Sequence, residues 1–323
     1  MPKVSVVVPI YNVEAYIEKC ANSLFLQTLD DMEYIFVNDC TKDNSMQVLN
    51  DVIKRFPNRK NQIKIINHQT NKGLPQARKS GIEASTGEYI IHCDSDDWID
   101  LNLYEKMYNK AIEEKSDLVV CDYCTITNEG TNKYRGLHTT NKKTFLVEML
   151  FYNIAFNVWN KMYHRNVYAN KLKYTSANMA EDLASTFQLV MFCERISYVS
   201  GNYYYYNGTS ISITREETKE SIIKRTQEAC TNAKIVVEIL SQINDKDFNN
   251  AIIFMKFKQR KLLMPIINDK EAYNLWKTVF PEINRDVLLK KGIRVTITDR
   301  IKFFLTLIGL FPLVKQYTRK NIC

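Results

Sequence analysis

In the first 125 residues, short β-branched runs alternate with segments whose apolar residues recur at helical spacing, and few folds accommodate that order. Val4 to Pro9 opens the series, after which Ile17, Cys20, Ala21, Leu24 and Phe25 fall on one helical face. Tyr34 to Val37 gives a second strand, followed by a helix starting near Asp43 to Ser45 with Val48, Leu49, Val52, Ile53 and Phe56 in register. Ile63 to Ile66 is the third strand. Pro75 suits the first turn of the next helix, where a missing N–H costs nothing, and Gly81 and Gly87 bracket its end. A fourth strand, Tyr89 to Cys93, runs into Asp94-Ser95-Asp96-Asp97-Trp98, and a helix from Asn102 leads to a fifth strand, Asp117 to Cys121. This βαβαβαβ order predicts an α/β fold with a mostly parallel sheet covered by helices on both faces.

Ligands of such sheets lie beyond the carboxyl ends of the strands, where loops converge and helix N-termini turn their N–H groups inward. Those ends carry Pro9-Ile10-Tyr11-Asn12, Asn38-Asp39, Asn67-His68 and Asp94-Ser95-Asp96-Asp97, which predicts one carboxylate-rich site. No G-x-G-x-x-G follows the first strand and no G-x-x-x-x-G-K-[ST] occurs, so neither a dinucleotide site nor a P-loop is supported. Three acids in one loop, Asp94, Asp96 and Asp97, repel one another unless a cation or hydrogen-bond donors offset them. A Mg²⁺ or Mn²⁺ ion is the simplest offset, since such ions favour hard oxygen ligands and fill most of their shell with water and phosphate oxygens. Taken alone, the same acids read equally well as the start of the helix at Leu103, where the dipole favours them.

Beyond Tyr123 the pattern turns irregular, with a polar stretch from Thr125 to Lys143, two apolar-rich segments and the aromatic run Tyr203 to Tyr206. From about Glu216 the chain reads as helical almost to Asn268, and a boundary near Thr214 separates residues 1–214 from a helical region 215–323. The net charge of +8 is concentrated: Lys290 to Cys323 holds eight basic residues and one acid. A basic excess confined to the tail argues against a nucleic-acid-binding face and points to a local anionic partner. The tail's apolar stretch, Phe303 to Val314, is about 18 Å long as a helix, short of the roughly 30 Å of a bilayer's hydrocarbon, so it cannot cross one alone. Flanking Arg300, Lys302, Lys315, Arg319 and Lys320 suit an interfacial anchor on an anionic membrane through residues 300–320, with Pro312 ending the helix. A helix packed on the folded domain with a solvated basic rim is the other reading. The N-terminus, MPKVSVVVPIYN, has no apolar leader or cleavage site, so the expected location is cytoplasmic, peripheral at the inner face of the plasma membrane if the tail anchors. The eight cysteines lie in apolar contexts; Cys121 and Cys124 have metal-ligand spacing but no second pair, and read as small hydrophobes.

Taken in order, VSVVVPIYN, VNDCTKDNS, NKGLPQARKSGIEASTGEYIIHCDSDDW and AEDLASTF resemble glycosyltransferase family 2, the inverting nucleotide-sugar enzymes of GT-A fold, over roughly residues 3 to 215. The resemblance implies a GT-A, Rossmann-like sheet in 1–214, with a nucleotide-sugar half (1–124) and an acceptor and base half (125–214), followed by a C-terminal helical extension. It implies that Asp39 accepts from the uracil N–H, that Pro9 and Tyr11 shape the base and ribose pocket, and that Arg78 stands near the nucleotide as its positive partner. Asp94 lies by the ribose with Ser95 beside it, and Asp96 holds the metal, Mn²⁺ or Mg²⁺, that bridges the diphosphate. Glu181-Asp182 matches the later acidic pair, with Asp182 as the base. An acceptor hydroxyl attacking in line with the departing diphosphate needs a carboxylate to take its proton on the opposite face. Cys40-Thr41 stands where relatives commonly have Gly-Ser, so a positive-φ turn there is strained and a differently shaped loop is expected. His92 is expected to pack rather than ligate, and Tyr203 to Tyr206 to serve core or edge packing rather than sugar stacking. The expected activity is transfer of a sugar, UDP-linked, to a hydroxyl of a polysaccharide or lipid-linked glycan, with no nucleic-acid partner. A sugar-1-phosphate nucleotidyltransferase is the enzymatic alternative, though it normally opens with a Gly-rich loop where this chain has VPIYN. A non-catalytic carbohydrate-binding subunit is the alternative outside enzymes, and the retained acids speak against it.

Overall fold

Residues Val4–Ile10 form strand β1, and every one of them is buried. This computed structural model of the chain describes residues 1–134, 137–209 and 218–311. Helix α1 (Ile17–Phe25) follows, burying the five residues expected from the periodicity, then β2 (Met32–Asn38), α2 (Ser45–Arg55), β3 (Ile63–Asn67), α3 (Leu74–Ala84) and β4 (Tyr89–His92). β2 and β4 flank β1, β3 continues beyond β2, and all these pairings are parallel. Their register aligns Ile10, Asn38 and Asn67 across three strand ends, which places the loops after β1, β2 and β3 side by side. Pro9 is tolerated in this central strand because the β1–β4 ladder stops at the Val7–His92 pair, before the ladder would need its N–H.

The parallel order does not continue past β4. A short β5 (Trp98–Ile99), α4 (Leu103–Glu114), β6 (Leu118–Thr127), β7 (Gly130–Tyr134), α5 (Lys142–Leu150), β8 (Lys161–His164), α6 (Arg165–Tyr168), α7 (Glu181–Phe192) and β9 (Ile196–Asn207) complete the order, and the sheet runs β3-β2-β1-β4-β8-β6-β9-β5 with β7 on β6. The predicted fifth strand, β6, is therefore not beside β4: β8 enters between them, antiparallel to both. β8 was illegible because its Lys161, Met162 and Tyr163 are all buried, so a strand this short shows no alternation. Its lysine is satisfied by backbone oxygens of Ala155 and Asn157 at 2.7 and 2.8 Å, with Asn160 Oδ1 at 2.8 Å.

Two compact units divide the chain: Met1–Phe145, Ala155–Ser176 and Ser185–Ile211 make the first, which holds the whole sheet. The second takes Leu146–Ile154, Ala177–Ala184 and the described residues from 218 onward; the expected boundary at Thr214 lies outside the described residues. In the first unit the main core packs alternate β1 residues Val4, Val6, Val8 and Ile10 with Leu24, Phe36, Met107 and Trp159, while Ile35, Val37 and Ala77 form a smaller core on the opposite face.

In the second unit the stretch expected to be helical almost to Asn268 forms two helices. α8 (Lys219–Leu240) ends and α9 (Lys246–Lys261) starts anew, because the Asp245 carboxylate accepts from the Asp247 and Phe248 N–H groups and caps a fresh N-terminus. α10 (Lys270–Thr278) is capped in the same way by Asp269, and α11 (Asn284–Leu289) and α12 (Ile297–Leu307) follow. The tail helix stops at Leu307, not at Pro312: Gly309 takes φ 77°, a left-handed conformation open to glycine, and its N–H bonds the Thr306 carbonyl. Pro312, Val314, Lys315, Arg319, Lys320 and Cys323 lie outside the described residues.

Candidate active site

The loops at the carboxyl edge are stitched to one another. Asn12 takes φ 54° and its N–H donates to Thr41 Oγ1 at 2.8 Å, while the Val13 and Glu14 N–H groups donate to Ser45 and Asp43. Burial alone would raise Asp43, but donors from Ser45, Thr41 and Glu14 outweigh it and hold the carboxyl below its usual range. Tyr11 stands exposed between the buried strand and this network. Cys40 takes φ 59°, the left-handed turn that the sequence marks as strained for a residue with a Cβ.

Asp39 follows β2 and is buried. Its Oδ1 receives His68 Nδ1 at 2.7 Å and the Lys72 N–H at 2.8 Å, and its Oδ2 receives the Gly73 N–H at 2.8 Å. His68, at the end of β3, reaches Ser80 Oγ on α3 with its other nitrogen at 2.9 Å. Gly73 holds φ 86° and ψ 162°, a region essentially restricted to glycine, so the turn that starts α3 depends on that residue. An ionised carboxylate has about four lone-pair sites, so one direction on Oδ2 is open to a ligand N–H.

The acidic loop after β4 is offset largely by this chain's own donors. Arg78 Nη2, buried on α3, lies 2.7 Å from Asp94 Oδ1, whose side chain is 24% exposed. Asp97 is buried, accepts from the Tyr204 hydroxyl at 2.6 Å and from the Asn207 N–H at 2.7 Å, and caps nothing in α4. Burial, then the charges of Asp96 and Asp94, push the Asp97 carboxyl well up despite those two donors. The Tyr204 hydroxyl also accepts the Asp94 N–H at 2.9 Å, so one phenol ties both ends of the loop to β9. Ser95 is buried, and Asp96 is half-buried with no hydrogen-bond donor among the described residues. Among those residues no three His, Cys, Asp or Glu side chains gather as a metal site. A single open carboxylate fits an ion of the Mg²⁺ or Mn²⁺ type, which draws its remaining ligands from water and substrate phosphates.

The first unit thus joins Asp39 to the α3 start and Arg78 to Asp94. Glu181 and Asp182 belong to the second unit, in the first turn of α7, with Glu181 buried and Asp182 half-buried. Ala180 immediately before them holds φ 60°, a strained conformation for alanine of the kind that clusters at working sites. His92 is buried with Tyr168 Oη 3.4 Å from its Nε2. Tyr204 stacks on Trp159 at 4.2 Å and Tyr205 on Trp98 at 5.6 Å, so these rings face protein. Cys121 and Cys124 are buried in β6, and burial raises both thiols, Cys121 to about 12. The sequence placed His68 at a strand end of the site and Tyr204 in a run expected to pack, but not the bonds of either to Asp39 and Asp97, nor the donors of the Lys72-Gly73 backbone.

The family model for glycosyl transferase family 2 matches residues 5–172. A putative glycosyltransferase EpsH of Bacillus subtilis (strain 168) is 34% identical over 229 residues, covering 68% of this chain and 64% of that relative, just under two thirds of its length. The crystal structure of S. aureus TarS 1–349 in complex with UDP superposes with a TM-score of 0.61 at 20% identity, covering 99% of this chain and 92% of that one. The mannosyltransferase PcManGT from Pyrobaculum calidifontis, in complex with GDP-Man and Mn²⁺, gives 0.55 at 13% identity, covering 96% and 87%.

Proposed function

The chain belongs to glycosyl transferase family 2 and has its GT-A fold, and from that premise we propose that it transfers a sugar, with inversion, from a UDP-linked donor to a hydroxyl of a glycan or lipid-linked acceptor. The observation that carries this reading is Asp96: an open carboxylate at the end of β4, between an Asp94 already paired with Arg78 and an Asp97 already bonded to Tyr204 and Asn207. Asp96 is the residue that would hold Mn²⁺ or Mg²⁺, which when bound supplies Lewis-acid stabilisation of the departing diphosphate. Asp39 Oδ2 accepts the base N–H, Tyr11 and Pro9 border the base and ribose, and Asp94, held by Arg78, faces the ribose with Ser95 behind it. The acceptor oxygen forms its bond to the anomeric carbon as the carbon–oxygen bond to the diphosphate breaks. Asp182 takes the hydroxyl proton, and Glu181 beside it is the second acid of the pair. The UDP of the TarS complex supports the choice of nucleotide.

No helix among the described residues is long and apolar enough to cross a membrane. The exposed residues Ile297, Ile301 and Phe304 line one side of α12, with Ile308 exposed just past its end and Lys302 exposed on the same helix, and they support contact with an anionic membrane, where a lipid-linked acceptor would be found. The test of the whole reading is nucleotide release from a panel of UDP- and GDP-sugars with Mn²⁺. UDP release that stops in EDTA, returns on adding Mn²⁺ and is lost in Asp96→Ala is expected. Full activity after verified metal removal would overturn the metal assignment, and release of GDP alone would overturn the nucleotide.

A further inference from the structure

Arg260, near the end of α9, is completely buried, a costly position for a cation. Its guanidinium carbon lies 3.8 Å from the Trp276 ring centroid and 4.7 Å from that of Phe303, and its Nη1 donates to Asn284 Oδ1. Its Nε and Nη2 are buried with no partner among the described residues. Among the described residues no carboxylate comes within ion-pair distance of it: Glu282, whose charge reaches Arg260, is occupied by Lys256 at 2.6 Å, and Asp299 by Lys261 at 2.9 Å. Burial lowers Arg260 to about 10, leaving it cationic at neutral pH.

This arginine lines a cavity of about 130 Å³ whose walls are Phe257, Met264, Trp276, Phe303 and Phe311, with Lys261, Lys302 and Asp299 completing the lining. Two features are at odds in such a place: an apolar wall that gives water few partners, and a guanidinium whose N–H groups require acceptors. An anion carrying an apolar chain resolves both, since its oxygens fit the arginine fork and its carbons suit the aromatic walls. We propose that this cavity binds the anionic head of a single-chain amphiphile, a phosphate or carboxylate, on Arg260, with the first carbons of its chain against Trp276 and Phe303 and Lys302 adding positive charge. The cavity lies within the second unit, and the proposal does not rest on the reading of the donor site.

The volume, worth about four waters, admits a head group and little more, so the remainder of the chain must leave through the mouth. The experiment is calorimetric titration of the full chain with decyl phosphate below its micelle concentration, set beside decanoate, inorganic phosphate and the uncharged decyl maltoside. Expected are one site for decyl phosphate and decanoate, quenching of Trp276 emission, binding at least about tenfold weaker for inorganic phosphate, and none for the maltoside. Arg260→Gln should weaken decyl phosphate at least about tenfold, the loss that follows removal of a charge-assisted hydrogen-bond pair. Because that variant removes a buried stacked side chain, Lys302→Glu on the exposed side of α12 is the second variant, with the same direction and a stronger salt dependence expected. Equal affinity for inorganic phosphate, binding of the maltoside, no binding of decyl phosphate, or a decyl phosphate affinity unchanged in both variants would each overturn the proposal.

Discussion

Replacing Tyr204 by Phe removes one oxygen atom and tests how the acidic loop is held. That oxygen donates to Asp97 Oδ2 at 2.6 Å and accepts the Asp94 N–H at 2.9 Å, and both Tyr204 and Asp97 are buried, so water does not readily replace it. A hydrogen bond to a charged acceptor is worth about 1.5–3 kcal/mol net, and stranding a buried N–H costs about 1–3 kcal/mol more. The raised Asp97 carboxyl can take up a proton once its donor is gone, which limits the first loss, and we expect a net destabilisation of about 3 kcal/mol. The assay is urea unfolding followed by tryptophan emission, which is informative because Trp159 stacks on Tyr204 at 4.2 Å. Tyr203→Phe is the control: it is buried on the same strand, its hydroxyl has no hydrogen bond among the described residues, and a change within about 0.5 kcal/mol is expected. Combining Tyr204→Phe with Asp97→Asn should give a loss smaller than the sum of the single losses by about 1–2 kcal/mol, as for residues that share a bond. Strict additivity, or a Tyr204→Phe variant as stable as the parent, would refute the claim that this phenol ties the loop to β9.

Asp182→Asn should lower turnover by at least about 10²-fold with UDP binding unchanged, measured by nucleotide release at saturating acceptor; near-normal turnover would move the base elsewhere, to Glu181 first. Cys40→Gly should stabilise the chain by about 1 kcal/mol in a denaturant melt, because φ 59° strains a residue with a Cβ and suits glycine. Glu148 is held below its usual 4.5 chiefly by the bidentate Arg294 contact at 2.6 and 2.7 Å, so the native state binds fewer protons than the unfolded chain. The resulting stability is complete above pH 4.5 and is lost as pH falls through the depressed value. It amounts to about 1 kcal/mol given the half-exposed arginine, and Arg294→Gln should flatten that part of the stability–pH curve.

The alternation of β-branched and helical segments determined the first half of the fold, because element type is encoded by local periodicity and each parallel strand needs a helical crossover to reach its neighbour. It also determined that Asp39 and the Asp94 to Asp97 loop lie at one edge of the sheet, since that follows from strand direction alone. Which acid in the loop stays open was not determined, because the donors that occupy the others come from afar: Arg78 from α3, and Tyr204 and Asn207 from β9, more than 100 residues beyond. The antiparallel entry of β8 was equally hidden, since a strand buried on both sides carries no period and its place depends on which sheet edges meet. Local signals of another kind, the capping acids Asp245 and Asp269, were present in the sequence yet outweighed by a long helical composition. Arg260 looks like any basic residue of an amphipathic helix in sequence, and only the packing of α9, α10 and α12 removes it from water and leaves two of its nitrogens without acceptors among the described residues. Periodicity decides what each segment becomes, while the matching of donors, acceptors and charges depends on side chains that only the folded chain brings within reach.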